Sequence, residues 1–237
     1  MIYVNGDSHS AGADIIPGVC FAKDDPRYLA YGRRAHPEAV LQTYGYHVAK
    51  SFNQGFFCEA ESGSSNDRIL RITKQYIEDT EDKKNIGYII IGWASWEREE
   101  WEYGEDYLQV TASGTDSVPE SMEEEYREWV LRQTPEELQR KELKWNQLIS
   151  AFSYELTEQD IKHIFFHTQE YTEYLLRQGF ATTNNHFGED GHRAWASHLV
   201  PIADRMFTRN NANMGLTKSK KRTILSKVKQ EFRGFTR

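Results

Sequence analysis

A serine directly after a short apolar run is the residue in this sequence best placed for chemistry. Ile2, Tyr3 and Val4 are β-branched or aromatic and are followed by Asn5-Gly6-Asp7-Ser8-His9-Ser10. The run reads as a buried strand stopped by a glycine that permits a tight exit. Ser8 then lies just past the carboxyl end of the first strand, the edge where open α/β sheets bind ligands. There it can present its hydroxyl while its own backbone N–H faces the same crevice. Acyl transfer needs both of these, a nucleophile and a donor for the oxyanion. Gly-Asp-Ser is also an ordinary turn composition, so these residues alone suit a plain polar turn as well.

A second polar stretch stands near the other end of the chain. His186-Phe187-Gly188-Glu189-Asp190-Gly191-His192 leads into the helical-looking Arg193-Ala194-Trp195-Ala196-Ser197-His198-Leu199. Between the two lies Glu61-Ser62-Gly63-Ser64-Ser65-Asn66-Asp67-Arg68. In order and spacing, the three blocks resemble the SGNH (GDSL-type) hydrolases over roughly residues 1–207. The shorter SGNH-like proteins of tailed phages and some bacteria are the most similar subset, in Gly63-Ser64-Ser65-Asn66-Asp67-Arg68 and in Gly92-Trp93 followed by Arg98, Glu99 and Glu100.

The resemblance implies a serine esterase with Ser8 as nucleophile and His186 as catalytic histidine. It removes acyl groups, acetyl among them, from a carbohydrate or other polar ester, with no cofactor and no metal. It also implies that the Ser8 and Gly63 N–H groups line the oxyanion hole and that His192 opens the last helix. Two positions depart from the family. Where it has Gly-x-Asn-Asp, this chain has Gly92-Trp93-Ala94-Ser95, and alanine has no side-chain donor. Asn66 is the expected substitute, although it also suits the cap of the following helix. Where the family places an aspartate three residues before the histidine stands Thr183. The expectation is therefore a Ser8–His186 dyad. A neutral acceptor would hold the ring, a backbone carbonyl of residues 182–185 ahead of the Thr183 hydroxyl, and Asp7 is a further supporting candidate. Glu189 and Asp190 follow the histidine and suit a helix N-terminus instead. The competing reading is a degenerate SGNH fold used for binding or as a virion structural protein.

The elements that must position these groups follow from the pattern. Residues 38–52 have helical spacing, and Phe56-Phe57-Cys58 suits a second strand. Ser64 suits the N-cap of a helix running to about Asp79, and Ile86 to Ile91 is the clearest buried strand. Thr134-Pro135-Glu136-Glu137 is a strong start for a long amphipathic helix. Residues 161–167 are a fourth strand, followed by a short helix from Tyr171 and a last one from about Asp190 to Met206. Alternating β and α elements predict an α/β fold, a three-layer α/β/α sandwich with a mostly parallel, flavodoxin-like sheet. Residues 11–41 read as irregular, either a lid or a solvated insertion. Residues 93–133, with twelve acidic residues and interleaved aromatics, read as a solvated excursion or as an aromatic wall for sugar rings.

The chain of 237 residues is long enough for one such domain, expected over 1–208. Its net charge of −7 conceals a basic tail, 209–237, set off by Asn210-Asn211-Ala212-Asn213. Residues 218–237 hold eight Lys/Arg against one Glu, leaving the remainder strongly acidic. An acidic body disfavours nucleic acid, and the tail suits docking to a second copy or a virion partner. No apolar run approaches a membrane span, and no secretory leader is evident. Cys20 and Cys58 suit reduced thiols, so the expected setting is a cytoplasm, or a host cytoplasm or virion if the chain is phage-encoded. Eight histidines make no metal-binding motif.

Overall fold

The structure is a computed structural model that describes residues 1–16, 35–112 and 118–213. In chain order the elements are β1 (Ile2–Gly6), α1 (Ser8–Ala11), α2 (Pro37–Val40), α3 (Tyr44–Ser51), β2 (Phe56–Cys58), α4 (Asn66–Asp79), β3 (Tyr88–Trp93), β4 (Glu99–Tyr103) and β5 (Asp106–Val110). They continue with α5 (Glu123–Leu131), α6 (Pro135–Glu158), β6 (His163–His167), α7 (Thr168–Arg177), β7 (Thr182–Thr183), β8 (His186–Phe187) and α8 (Glu189–Asn213). The chain divides into two compact units, Met1–Leu199 and Val200–Arg237.

The central sheet has the order β2-β1-β3-β6, and every neighbouring pair in it is parallel. Helices cover both faces, giving the three-layer α/β/α sandwich. β1 and β3 are buried along their whole length, as strands covered on both faces must be. On one face Tyr3, Ile89, Ile91 and Trp93 pack with Ile69 and Ile77 of α4 and Phe152 and Leu156 of α6. On the other, Tyr44 of α3 meets Phe166 of β6, and Trp195 of α8 meets both Phe166 and Tyr171 edge-on. From β1 the chain goes to β2 on one side, and β3 lies on the other. The switch in direction opens a crevice at the carboxyl ends of β1 and β3.

Two glycines face each other at that edge. Gly6 pairs with Gly92 in the β1–β3 register. A Cβ on Gly6 would come within 2.8 Å of the Gly92 carbonyl, and one on Gly92 within 2.7 Å of the Ser10 hydroxyl. The missing side chains let Ser10 tuck over the strand ends, so α1 begins one residue after β1 stops. Asp7 is the hinge. Its extended backbone caps α1, and its Oδ1 accepts the His9 N–H at 3.1 Å.

Several expectations need correction. The helix over 38–52 is two helices. Their break at residues 41–43 lets the Tyr44 N–H donate to the buried Nδ1 of His192 at 3.2 Å. The N-cap of α4 is Ser65, whose Oγ accepts the Arg68 N–H, while the Ser64 hydroxyl receives the Arg68 guanidinium. Within the stretch 11–41 expected to be irregular, Ala11 closes α1 and Pro37–Val40 forms α2, and residues 17–34, the bulk of the proposed lid, lie outside the described residues. Asn210–Asn213 is no break, because α8 runs through it to Asn213. The basic residues from 218 onward, and Cys20, also lie outside the described residues.

The acidic excursion is the largest correction. It contains the β4–β5 hairpin, turned at Gly104 with φ 62°, and then α5. Val110, Tyr126 and Trp129 are buried in a small core of their own, with Trp101, Leu108 and Val130 packed against it. Alternation explains how so acidic a strand folds. Trp101 turns toward Trp129, edge to face at 5.8 Å, while Glu100 on the opposite side is clamped by Arg71 through two bonds of 2.8 Å. Trp101 and Trp129 are therefore engaged in this core, while Tyr103 and Tyr107 of the hairpin stay exposed.

His192, fully buried between α3 and α7, predicts a pH dependence. Burial, aided by the fields of His9, His47 and His186, pushes its pKa from 6.5 down to about 3. The folded ring stays neutral where an unfolded one takes up a proton, so stability is full above pH 6.5 and lost as pH falls from there toward 3. Urea midpoints measured between pH 8 and pH 4 should fall on the acid side. The fall should be shallower in His192→Gln. Equal slopes in the two proteins would show that this ring is not held neutral.

Candidate active site

Ser8 and His186, 178 residues apart, meet at the carboxyl edge of the sheet. The Ser8 Oγ lies 2.8 Å from His186 Nε2. Ser8 is delivered by the abrupt start of α1, and its side chain is nearly buried. His186 is delivered by a tight hairpin in which Thr183 pairs with His186 and Thr182 with Phe187. Asn184 and Asn185 form its turn with φ of 49° and 66°, left-handed values that asparagine tolerates better than most residues. Phe187 anchors this hairpin by burying its ring edge-on against Tyr171 at 5.5 Å.

The group behind the histidine is a carboxylate. Asp14 Oδ2 lies 2.8 Å from His186 Nδ1, and the two side chains are 7% and 19% exposed. This corrects the expected neutral acceptor. The Thr183 hydroxyl and the 182–185 backbone leave Nδ1 to Asp14, and Thr183 is exposed on the outside of the hairpin. The dyad becomes a Ser8–His186–Asp14 chain. Asp14 stands two residues after Gly12, the left-handed C-cap of α1, and itself has φ 61°. That turn folds the carboxylate back toward the serine's partner. An ionised carboxylate only accepts, so Nδ1 must carry the proton and Nε2 is left to accept the Ser8 hydroxyl.

Asp7, the other candidate carboxylate, makes no hydrogen bond or ion pair with His186; its partners among the described residues are His9 and Arg98. Burial alone would raise its pKa. The hydrogen bonds and charge of His9, followed by Arg98, outweigh burial and hold the carboxyl below its ordinary value. His9 Nδ1 lies 3.4 Å from Asp7 Oδ1, and Arg98 Nη1 lies 3.3 Å from Oδ2. Asp7 thus fixes the serine turn and ties it to the loop after β3.

Gly63 lies in a turn hung on the end of β1. The Glu61 N–H donates to the Gly6 carbonyl at 3.1 Å, and the Ser64 N–H closes the turn on Glu61. Gly63 holds φ 79° there, a conformation that a side chain would strain. Among the described residues, neither its N–H nor that of Ser8 has a hydrogen-bond partner.

Asn66 has a different task from the one expected. Its side chain is fully buried, and its amide makes two bonds to one residue. Nδ2 donates to the Ala94 carbonyl at 3.1 Å, and Oδ1 accepts the Ala94 N–H at 2.8 Å. This correction replaces an open oxyanion donor by a clamp between α4 and the end of β3. Without it, two buried backbone groups would lose their partners, at roughly 1–3 kcal/mol each. Gln109 of the hairpin adds a second brace, accepting the Ser65 N–H at 2.8 Å.

Among the described residues no cluster of His, Cys, Asp or Glu could hold a metal ion, and no helix is long and apolar enough to cross a membrane. Cys58 takes no part in the site, since burial pushes its thiol up to about 12 and keeps it protonated.

No family model and no curated protein matches this sequence. Among solved structures the chain is similar to a carbohydrate esterase, described as having an active site with divergent catalytic and non-catalytic binding functions. The match has 13% identity and a TM-score of 0.39, over 86% of this chain and 67% of that one. A likeness so distant carries no weight for activity, which must be argued from the site itself.

Proposed function

We propose that this chain is a serine ester hydrolase of SGNH type that removes acyl groups, acetyl among them, from a carbohydrate or other polar ester. The observation that carries the reading is the relay of two 2.8 Å contacts, Ser8 Oγ to His186 Nε2 and His186 Nδ1 to Asp14. His186 Nε2 takes the Ser8 proton as Oγ attacks the ester carbonyl. The Nδ1–H stays with Asp14, whose charge stabilises the imidazolium that forms. The oxyanion of the tetrahedral intermediate is held by the N–H groups of Ser8 and Gly63. As the intermediate collapses, the C–O bond to the alcohol breaks and His186 returns the proton to the departing oxygen. Water, deprotonated by the same ring, then attacks the acyl-serine and regenerates Ser8. Asn66 and Gln109 act one layer back, fixing the turns that hold these donors.

The alternative, a degenerate site kept only for binding, drew support from Ala94 and Thr183. That support weakens, because a scaffold has no use for a carboxylate behind the imidazole. Treating the full chain with a fluorophosphonate and measuring intact mass tests the reading directly. One adduct per chain, mapped to Ser8, is the expected result. No adduct on Ser8 at millimolar reagent would remove the enzyme from consideration.

A further inference from the structure

Arg98 is a guanidinium left half-used at the mouth of this site. Its Nη1 is shared between Asp7 Oδ2 and the Ser64 carbonyl, each at 3.3 Å. These contacts lie one residue from Ser8 and one from Gly63, so the guanidinium sits between the two turns that carry the free N–H groups. Its Nε and Nη2 have no hydrogen-bond partner among the described residues, and the side chain is 22% exposed. The other partly buried arginines differ. Arg68 meets Glu61 at 2.6 Å, and Arg71 grips Glu100 through two 2.8 Å bonds. Asp7, the carboxylate that pairs with Arg98 among the described residues, is already shared with the backbone and ring of His9.

We infer that Arg98 is a specificity-determining residue and that the preferred substrates are esters bearing a carboxylate. This rests on the hydrolase reading above. A planar guanidinium with one edge open accepts a carboxylate through two parallel N–H···O bonds, which a neutral group cannot reproduce. The body of the protein is acidic, so a local cation at the crevice is what lets an anionic substrate approach. Loop β3–β4 supplies the arginine, and the Asp7 contact fixes its distance from the nucleophile.

Matched ester pairs test this. On the acyl side, 4-nitrophenyl hemisuccinate is compared with 4-nitrophenyl butyrate. On the alcohol side, the acetyl ester of glycolate is compared with that of glycolamide. The wild type should favour the charged member of at least one pair by about tenfold or more in kcat/KM, and the responding pair tells which side carries the charge. Arg98→Gln should lower that ratio by at least about tenfold, and Arg98→Lys should restore part of it. A ratio near one in the wild type, with neutral esters turned over, would overturn the inference and leave the enzyme standing. So would an Arg98→Gln protein in which both members fall equally. A binding measurement separates the two failures. Calorimetry with succinate and with its diamide on Ser8→Ala should show the acid binding more tightly, and Arg98→Gln in that background should lose the difference. No preference for succinate there overturns the assignment whatever the state of catalysis.

Discussion

Ser8→Ala should lower kcat on a simple aryl ester by on the order of 10⁴–10⁶, with the folded state retained. The loss is large because the serine supplies the bond that divides hydrolysis into two easier steps. Removing one oxygen from a nearly buried position disturbs little else, since the Ser8 Oγ has His186 Nε2 as its described partner. Circular dichroism and the urea midpoint should therefore be close to wild type. A Ser8→Ala protein with undiminished hydrolysis would place the nucleophile elsewhere.

Asp14→Asn should cost roughly 10³–10⁴ in kcat, and the reason is the tautomer. An asparagine of the same shape can present its NH₂ to His186 Nδ1, which then becomes an acceptor and drives the proton onto Nε2. That nitrogen faces Ser8 at 2.8 Å and can no longer take its proton. KM should move far less than kcat. The variant should also lose fluorophosphonate reactivity in step with the ester rate. Thr183→Asp, by contrast, should change kcat little, because the position is exposed and Nδ1 is already engaged. If Asp14→Asn were fully active and Thr183→Asp faster than wild type, the neutral-acceptor reading would return.

Sequence reasoning reached the parts of this molecule that obey a period. β1 and β3 were legible because both faces are buried and nearly every residue is apolar. The start of α6 was legible because Thr134 and Pro135 can do little else in that order, and the Thr134 Oγ1 does accept the Glu137 N–H. Ser8 and His186 were legible as a pair of blocks, although nothing in the residues gave their separation in space. Asp14 was not legible. It lies in Gly12-Ala13-Asp14-Ile15, a stretch without period, and its reach depends on two successive departures into positive φ at Gly12 and Asp14. Asn66 misled because an amide is equally suited to meeting an oxyanion or a backbone, and burial alone decides between them. The β4–β5 hairpin hid behind its charge, since five acidic residues in eight mask an alternation that Arg71 and Trp129 make meaningful.

The positions of the three relay residues along the chain have a consequence for when the relay can form. Ser8 and Asp14 are close neighbours, and α1 and its cap can bring them together as soon as β1 is in place. His186 must travel across 178 and 172 residues to join them. That closure depends on the hairpin at 182–187 docking beside α1 after every strand of the sheet has been made. Long-range closures of this kind are paid for last. During synthesis the chain can build its sheet from the amino end while the nucleophile stays idle. The relay is complete only once residues 182–187 have left the ribosome and docked. Recovery of ester turnover should then lag behind recovery of far-ultraviolet ellipticity on refolding, so the serine stays unarmed until the 182–187 hairpin has docked.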